Sequence, residues 1–171
     1  MTTEFLGKQL SGPFTIPSGI VTTAPAIIQR VMDTMPEIGV ITTKSIGLPP
    51  RLGNREPVYS QFAPGCFVNA VGLTNPGVEE ALRGLSELNV PNDRFLLVSI
   101  FGGSVEEFVA VARQLAPVAD GIELNLSCPH ASGYGMAMGQ DPDMVRDIVS
   151  AVCNAVDVPV VPKLTPNVDD I

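Results

Sequence analysis

One short segment concentrates side chains that could move a proton and hold a polar ring. Residues 123–130 read Glu-Leu-Asn-Leu-Ser-Cys-Pro-His and lead from an apolar run into a loop rich in Gly, Ser and Met. There Cys128 is a base or nucleophile if its thiolate is stabilised, and inert if the loop closes over it. Asn125 both donates and accepts, which matches a cyclic imide, although asparagine at a strand end is often a turn former. His130, the single histidine, is expected to position a ligand or meet solvent rather than act as the base.

Two of the three lysines stand where apolar runs end. The chain contains Lys8, Lys44 and Lys163, and the last two follow predominantly apolar segments, as Ser18 and Gly19 also do. A lysine at such a point is expected to have a role in the site rather than to be a random surface residue. Because the carboxyl ends of parallel strands share one face, which carries the active site in β/α barrels, we predict that these residues meet there.

The elements that would position these residues alternate along the chain. Apolar runs of the kind found in strands covered on both faces are each followed by an amphipathic helical pattern, which predicts an α/β protein. The predicted strands are residues 14–20, 39–46, 95–101, 121–127 and 158–164, and the predicted helices are residues 24–34, 77–88, 105–118 and 142–156. Ser104, with Glu107 three positions on, and Asp141, with Pro142 directly after it, are predicted N-caps.

Two segments outside this alternation read as hairpins. Residues 47–76 form a long connection rich in Pro, Gly, Arg and Asn, and a connection of that length is usually functional or folded into accessory structure. Within it, residues 58–71 predict an accessory hairpin that turns at the Pro-Gly pair 64–65. Residues 4–17, with the Gly-Pro pair 12–13 at their centre, predict a second hairpin that caps the bottom of a barrel.

Composition narrows the class of protein. The chain has 171 residues, 45% of them hydrophobic and 16% charged, which predicts one globular domain. Its net charge of −8 gives no general attraction for nucleic acid or anionic lipid. There is no basic, apolar leader and no run near the roughly 18 apolar residues of a membrane span, so we expect a cytoplasmic protein. The spacing of Cys66, Cys128 and Cys153 supports neither a disulfide framework nor a metal site, and Cys66 and Cys153 are expected to be packing residues.

Periodicity alone does not separate an open sheet from a closed barrel, but motifs favour the barrel. No Gly-rich dinucleotide loop follows the first predicted strand. Three segments resemble the dihydroorotate dehydrogenase family: 125–130 (Asn-Leu-Ser-Cys-Pro-His), 69–77 (Asn-Ala-Val-Gly-Leu-Thr-Asn-Pro-Gly) and 162–168 (Pro-Lys-Leu-Thr-Pro-Asn-Val). The resemblance implies a (β/α)8 barrel of the TIM type, of which residues 1–171 supply the first five strands and four helices as the N-terminal part of a single FMN-dependent domain.

The same resemblance implies a reaction and its residues. The implied reaction is FMN-dependent oxidation of dihydroorotate to orotate in pyrimidine synthesis, with Cys128 as the catalytic base that removes the C5 proton while hydride leaves C6 for the flavin. The substrate-binding residues that it implies are Lys44, Asn69, Gly72, Leu73, Asn125 and His130. The cofactor-binding residues that it implies are Ser18, Gly19, Lys44, Asn125 and Lys163. No metal site is implied.

Segments 133–135 (Gly-Tyr-Gly) and 139–142 (Gly-Gln-Asp-Pro) resemble the branch that pairs with an iron-sulfur FAD subunit and passes electrons to NAD. His130 departs from the asparagine found in much of the family, and Cys-Pro-His also occurs in related reductases of uracil or thymine. Such a reductase is therefore an alternative, although residues 69–77 fit that branch poorly.

A second hypothesis comes from chain length. A complete barrel has about 250 residues, so strands six to eight, and the phosphate site after strands seven and eight, would lie outside these 171 residues. The chain would then be a half-barrel without catalysis of its own, whose exposed sheet edges favour self-association or pairing with a complementary half. At this length it is expected to form a homo-oligomer and to hold FMN weakly or not at all.

Overall fold

The computed structural model describes residues 3–128 and 136–169. The strands are β1 (Thr3–Phe5), β2 (Lys8–Leu10), β3 (Phe14–Ile16), β4 (Ile38–Thr42), β5 (Tyr59–Ala63), β6 (Cys66–Asn69), β7 (Phe95–Ile100), β8 (Gly121–Asn125) and β9 (Val160–Lys163). The α-helices are α1 (Pro25–Thr34), α2 (Val78–Ser86), α3 (Val105–Leu115), α4 (Met136–Gly139) and α5 (Pro142–Cys153), and a 3-10 turn spans Ala116–Val118. No helix in these ranges is long and apolar enough to cross a bilayer.

Five parallel strands form the main sheet in the order β3-β4-β7-β8-β9. This order follows the chain without a reversal, as in β/α barrels, whereas a doubly wound sheet reverses at a switch point. The predicted strands and the four crossover helices α1, α2, α3 and α5 are confirmed, but the first strand ends at Ile16 rather than at residue 20. Strands β3 and β9 are the two edges of this sheet, and association through them stays a prediction.

The two faces of the sheet carry different cores. The helix-facing side, which includes Leu96 and Val98 of β7, packs against Phe108 of α3 in the larger hydrophobic cluster. Alternate residues of the same strand, Phe95 and Leu97, point to the opposite side and form a smaller cluster. We call this opposite side the inner face. Each large side chain that is fully buried contributes about 1.5–3 kcal/mol to folding, so most of the stability comes from the helix-facing core.

The amino-terminal hairpin, formed by β1 and β2, covers the lower end of the inner face. The rings of Phe5 and Phe95 meet edge to face with centroids 5.1 Å apart, and Lys8 Nζ donates to Asp120 Oδ1 at 2.6 Å. The predicted capping role is confirmed, but the predicted turn is wrong. The chain turns at Leu6 and Gly7, which both have positive φ, and residues 12–13 instead lead into β3.

The accessory hairpin within the long connection is confirmed as β5 paired antiparallel with β6. The rings of Tyr59 and Phe67 stack with centroids 5.3 Å apart. All four residues of β6 are exposed, so the prediction that Cys66 is a packing residue is wrong. The hairpin stands away from both hydrophobic cores.

The two predicted helix caps are confirmed, whereas the predicted burial of Cys153 is wrong. Ser104 Oγ accepts from Glu107 N at 3.3 Å, and Asp141 Oδ1 accepts from Met144 N at 3.2 Å. Such caps contribute about 0.5–2 kcal/mol each. Helix α5 buries Val152 but exposes Cys153, because one residue turns the side chain by about 100° around a helix.

Candidate active site

A cluster of hydroxyl and amide groups joins the carboxyl ends of four strands. Ser45 Oγ lies 2.9 Å from Ser99 Oγ and 3.1 Å from Ser18 Oγ, and it accepts from Asn125 Nδ2 at 2.9 Å. We call Ser18, Ser45, Ser99 and Asn125 the serine network. Ser45 and Ser99 are 2% and 0% exposed, so these hydrogen bonds replace water that the groups lost on folding. The network fixes the four strand ends relative to one another.

Within this network, Asn125 is both a turn former and a remaining donor. Its Oδ1 accepts from the backbone N–H of Ser127 at 3.3 Å and from the Ser127 hydroxyl at 3.1 Å. Its Nδ2 carries two hydrogens and donates one of them to Ser45 Oγ. The turn-forming role is therefore observed, because the oxygen holds the turn, and a contact of the second Nδ2 hydrogen with a ligand stays a prediction.

Lys163 is held by a carboxylate on the neighbouring strand. Its Nζ donates to Glu123 Oε1 at 2.7 Å, and the two side chains are 34% and 8% exposed. Glu123 precedes Asn125 by two positions on β8, so both project from the inner face, and Asn125 lies opposite Lys163 in the strand register. The pair thus lies directly below the serine network.

Lys44 follows β4 and is half-buried. The pKa of Lys44 is lowered, chiefly because burial disfavours its ammonium; Cys128 opposes this shift, and the neighbouring charge of Lys163 adds to it. Cys128 is partly buried and lies close enough to interact electrostatically with Lys44. Lys44 is therefore within electrostatic range of both Lys163 and Cys128, at the carboxyl end of the sheet.

Three predicted ligand-binding residues lie on the long connection instead. Asn69 ends β6 and is exposed, while Gly72 and Leu73 are buried with φ of 80° and 56°. Among the residues that the structure describes, no hydrogen bond or ion pair joins these three to the serine network. The loop does reach Lys44, because a cavity of about 250 Å³ is lined by Lys44 on one side and by residues 74–76 on the other.

Asn75 gives this loop its shape. Its Oδ1 accepts from the backbone N–H groups of Gly47 and Gly77 at 3.1 and 2.9 Å, and its Nδ2 donates to the Leu73 carbonyl at 2.8 Å. Asn75 is 8% exposed. It therefore serves the buried backbone of the loop and fixes the position of the segment that precedes it.

Ser18 lies in the network, and Gly19 turns the chain away with φ of 87°. His130 lies outside the described residues. Ser45, Ser99 and Glu123 were not among the predicted site residues. The available signal was a polar residue inside an otherwise apolar run, because Ser99 and Glu123 interrupt β7 and β8.

The family model for dihydroorotate dehydrogenase matches residues 1–171. The chain belongs to the dihydroorotate dehydrogenase family. Curated proteins named "Dihydroorotate dehydrogenase B (NAD(+)), catalytic subunit" are similar throughout. The one from Pyrococcus horikoshii is 44% identical over an alignment of 171 positions, which covers 98% of this chain and 54% of that protein. The one from Methanocaldococcus jannaschii is 41% identical over 174 residues, 100% of this chain and 56% of that protein.

This dihydroorotate dehydrogenase family chain spans about half the length of the curated relatives that it matches. A crystal structure of DHODH in complex with ferulenol from Eimeria tenella is similar with a TM-score of 0.75 at 19% identity, covering 90% of this chain and 43% of that chain. The structural likeness supports the fold. The predicted (β/α)8 barrel type, seen as five strands and their crossover helices, is confirmed.

Proposed function

We propose that this chain carries the proton-abstracting part of an FMN-dependent enzyme that oxidises dihydroorotate to orotate in pyrimidine biosynthesis. The observation that carries the proposal is the location of Lys44 and Lys163 at the carboxyl end of the parallel sheet, with Cys128 close enough to Lys44 for an electrostatic interaction. Family membership over the whole chain supports it. A thiol beside cationic groups is the environment in which cysteine acts as a base, because positive charge stabilises the thiolate.

The inner face suits the polar edge of a flavin. It offers the Lys163 ammonium and the partly exposed Ser18 hydroxyl as donors, and flavin carbonyls and ring nitrogens accept hydrogen bonds. Thr22, whose backbone carbonyl accepts from Lys44 N at 3.0 Å, is 1% exposed, and its Oγ1 has no hydrogen-bond partner among the described residues. We assign FMN binding to Ser18, Gly19, Lys44, Asn125 and Lys163. When bound, FMN supplies the acceptor for the hydride that leaves C6 of the substrate.

Substrate binding divides between the strand ends and the long connection. The Lys44 ammonium offsets the negative charge of the dihydroorotate carboxylate, and the remaining N–H of Asn125 donates to the pyrimidine ring. Asn69, Gly72, Leu73 and His130 complete the assigned substrate contacts. Asn75 Nδ2 donates to the Leu73 carbonyl, which fixes the Leu73 backbone next to residues 74–76 of the cavity that Lys44 also lines.

Cys128 acts on C5 of the substrate. Its thiolate takes the C5 proton, the electron pair of that C–H bond becomes the C5–C6 double bond, and the C6 hydrogen leaves with its own pair. The Sγ–H that results returns its proton to solvent before the next turnover. Lys44 keeps a positive charge near the thiolate and the substrate carboxylate, which stabilises both anions before the proton moves.

The electron acceptor is proposed from the relatives. They carry the names of catalytic subunits of an NAD(+)-dependent enzyme, and a catalytic subunit implies another subunit in the same enzyme. We propose that a separate iron-sulfur FAD subunit carries electrons from this chain to NAD. Co-expression of the two subunits tests this, since NAD reduction by dihydroorotate should appear only when both are present.

The base is tested by exchanging each cysteine in the full-length, FMN-loaded protein. Cys128→Ser should slow flavin reduction by dihydroorotate about 10²–10⁴-fold, the usual contribution of a general base. Cys66→Ser and Cys153→Ser are matched controls because both thiols are exposed and lie away from the site. Stopped-flow bleaching of the flavin gives the three rates. The Cys128→Ser defect should lessen at high pH, and equal rates in all three variants would remove Cys128 from the mechanism.

A further inference from the structure

The two lysines of the site are not equivalent. Lys163 is paired with Glu123 at 2.7 Å, whereas no described carboxylate lies within ion-pair distance of Lys44. The two ammonium groups are near enough for Lys163 to lower the pKa of Lys44. Among the described carboxylates, Glu123 alone forms an ion pair with a lysine of the site, and that lysine is Lys163.

Fold stability does not explain why residue 123 carries a negative charge. Its side chain is 8% exposed, and taking a carboxylate and an ammonium out of water costs several kcal/mol per ion before their attraction is counted. A glutamine would accept the same hydrogen bond from Lys163 at a smaller desolvation cost. Fold stability alone therefore gives no reason to prefer glutamate over glutamine at residue 123. A site in which the charge of Lys163 must be partly neutralised does give such a reason.

We infer that Glu123 is a positioning residue that holds the Lys163 ammonium and partly offsets its charge, which lowers the reduction potential of the flavin below the value that an unpaired lysine would give. The inference rests on the proposed function, because it requires a flavin at the inner face. A cation beside the reduced flavin stabilises its anion, and a carboxylate 2.7 Å from that cation weakens the effect. Lys44 has no carboxylate partner of this kind among the described residues, which leaves its side chain available to the anionic substrate.

Glu123→Gln is the informative change because it keeps an acceptor for Lys163 and removes only the charge. In the full-length protein with FMN bound, spectroelectrochemical titration should show a higher midpoint potential. We expect at least a tenfold gain in preference for reduced flavin, which is about 30 mV for a two-electron couple. Lys163→Met should move the potential in the opposite direction.

The double variant separates an effect through Lys163 from a direct effect of Glu123. With Lys163→Met in place, the buried carboxylate loses its cation and takes up a proton, because an unpaired buried charge is too costly. Adding Glu123→Gln to that background should then leave the potential unchanged. An equal shift in both backgrounds would show that Glu123 does not act through Lys163, and would overturn the inference.

Asp120→Asn is the matched control, because Asp120 pairs with Lys8 at 2.6 Å near the opposite end of the sheet. The midpoint potential of FMN in this variant should equal that in the parent protein. An unchanged potential in Glu123→Gln overturns the inference and leaves the proposed function intact, whereas a parent protein that binds no FMN contradicts the proposed function itself. If Glu123→Gln loses FMN while Lys163→Met retains it, Glu123 supports the fold rather than Lys163, and the inference is also wrong.

Discussion

The amide of Asn125 donates to the hydroxyl of Ser45 at 2.9 Å, which links β8 to the segment after β4 across the intervening strand β7. Ser99 of β7 lies between them and contacts the same Ser45 oxygen at 2.9 Å. The position of Asn125 thus depends on a hydroxyl 80 residues earlier in the chain. A residue that we assign to both flavin and substrate is oriented by a serine that touches three other network members.

Ser45→Ala should destabilise the protein without creating a large cavity. The change leaves the Asn125 amide and the Ser99 hydroxyl short of a buried partner, and each such loss costs about 1–3 kcal/mol. We expect the free energy of unfolding, measured with urea, to fall by about that amount. Ser150→Ala is the control, since Ser150 is exposed on α5 and a surface change of this kind stays within about 0.5 kcal/mol. Equal stabilities for the two variants would contradict the network.

Placement of the strands and of most site residues could be predicted because both follow from local pattern. Apolar runs gave the strands, and polar residues at their carboxyl ends were expected on one face because parallel strands end on the same side. The contacts between those residues could not be predicted. Whether Ser45 faces Ser99, or Lys163 faces Glu123, depends on strand register and on the irregular end of β4, which a single strand does not reveal.

The wrong predictions have local causes. A Gly-Pro pair is the stronger turn signal, yet the amino-terminal chain turns at Leu6 and Gly7, with Leu6 itself at φ of 48°. Non-glycine residues seldom adopt that conformation, so Leu6 gives no signal for the turn, and Gly7 alone is a weaker signal than the Gly-Pro pair. Cys153 adjoins the apolar stripe of α5 in sequence, but it lies one residue past Val152 and therefore faces solvent.

Lys44→Met should stabilise the protein at neutral pH while it abolishes dihydroorotate oxidation. The pKa of Lys44 is lowered by burial from its ordinary value of 10.5, so the ammonium is less favourable in the folded than in the unfolded chain. Below the folded-state pKa this penalty is fully present, and it disappears as the pH rises through the interval up to 10.5. Because the side chain is half-exposed, solvent keeps the effect small.

Thermal unfolding of the Lys44→Met protein across that pH range tests whether the substitution raises or lowers stability. The variant should have the higher midpoint near neutrality, and the difference should shrink in alkaline solution. Lys8→Met is the matched control, because it removes an ammonium that forms an ion pair with Asp120 and should bring no gain in midpoint. A Lys44→Met protein less stable than its parent at neutral pH would contradict the prediction, because it would show that favourable interactions outweigh the cost of burying this ammonium.

Gly72→Ala should weaken substrate binding and also destabilise the loop. Gly72 has φ of 80°, a conformation that costs an alanine roughly 1–2 kcal/mol, and an added Cβ would lie 2.7 Å from the Asn54 side chain. Gly65→Ala is the control, because Gly65 has φ of 73° but nothing within 4 Å of the added carbon. The loss of unfolding free energy should be larger at residue 72, and the KM for dihydroorotate should rise there alone. Equal effects at both sites would mean that Asn54 moves aside without consequence.

Substitutions of Asn69 and Asn75, in the same loop, should have different effects: one on substrate binding and the other on stability. Asn75 is 8% exposed and its side chain makes hydrogen bonds to Gly47, Gly77 and Leu73. Asn75→Ala therefore removes the partners of buried backbone groups, at a cost of about 1–3 kcal/mol each.

Asn69 is exposed at the end of β6, and Asn69→Ala should leave the free energy of unfolding within about 0.5 kcal/mol of the parent. If Asn69 contacts the pyrimidine ring, the same variant should bind orotate at least tenfold more weakly, which is about 1.4 kcal/mol. Urea unfolding and orotate titration of the FMN-loaded protein measure the two quantities independently. Unchanged orotate affinity in Asn69→Ala would remove Asn69 from the substrate site, and an Asn75→Ala protein as stable as its parent would mean that the loop keeps its shape without that side chain.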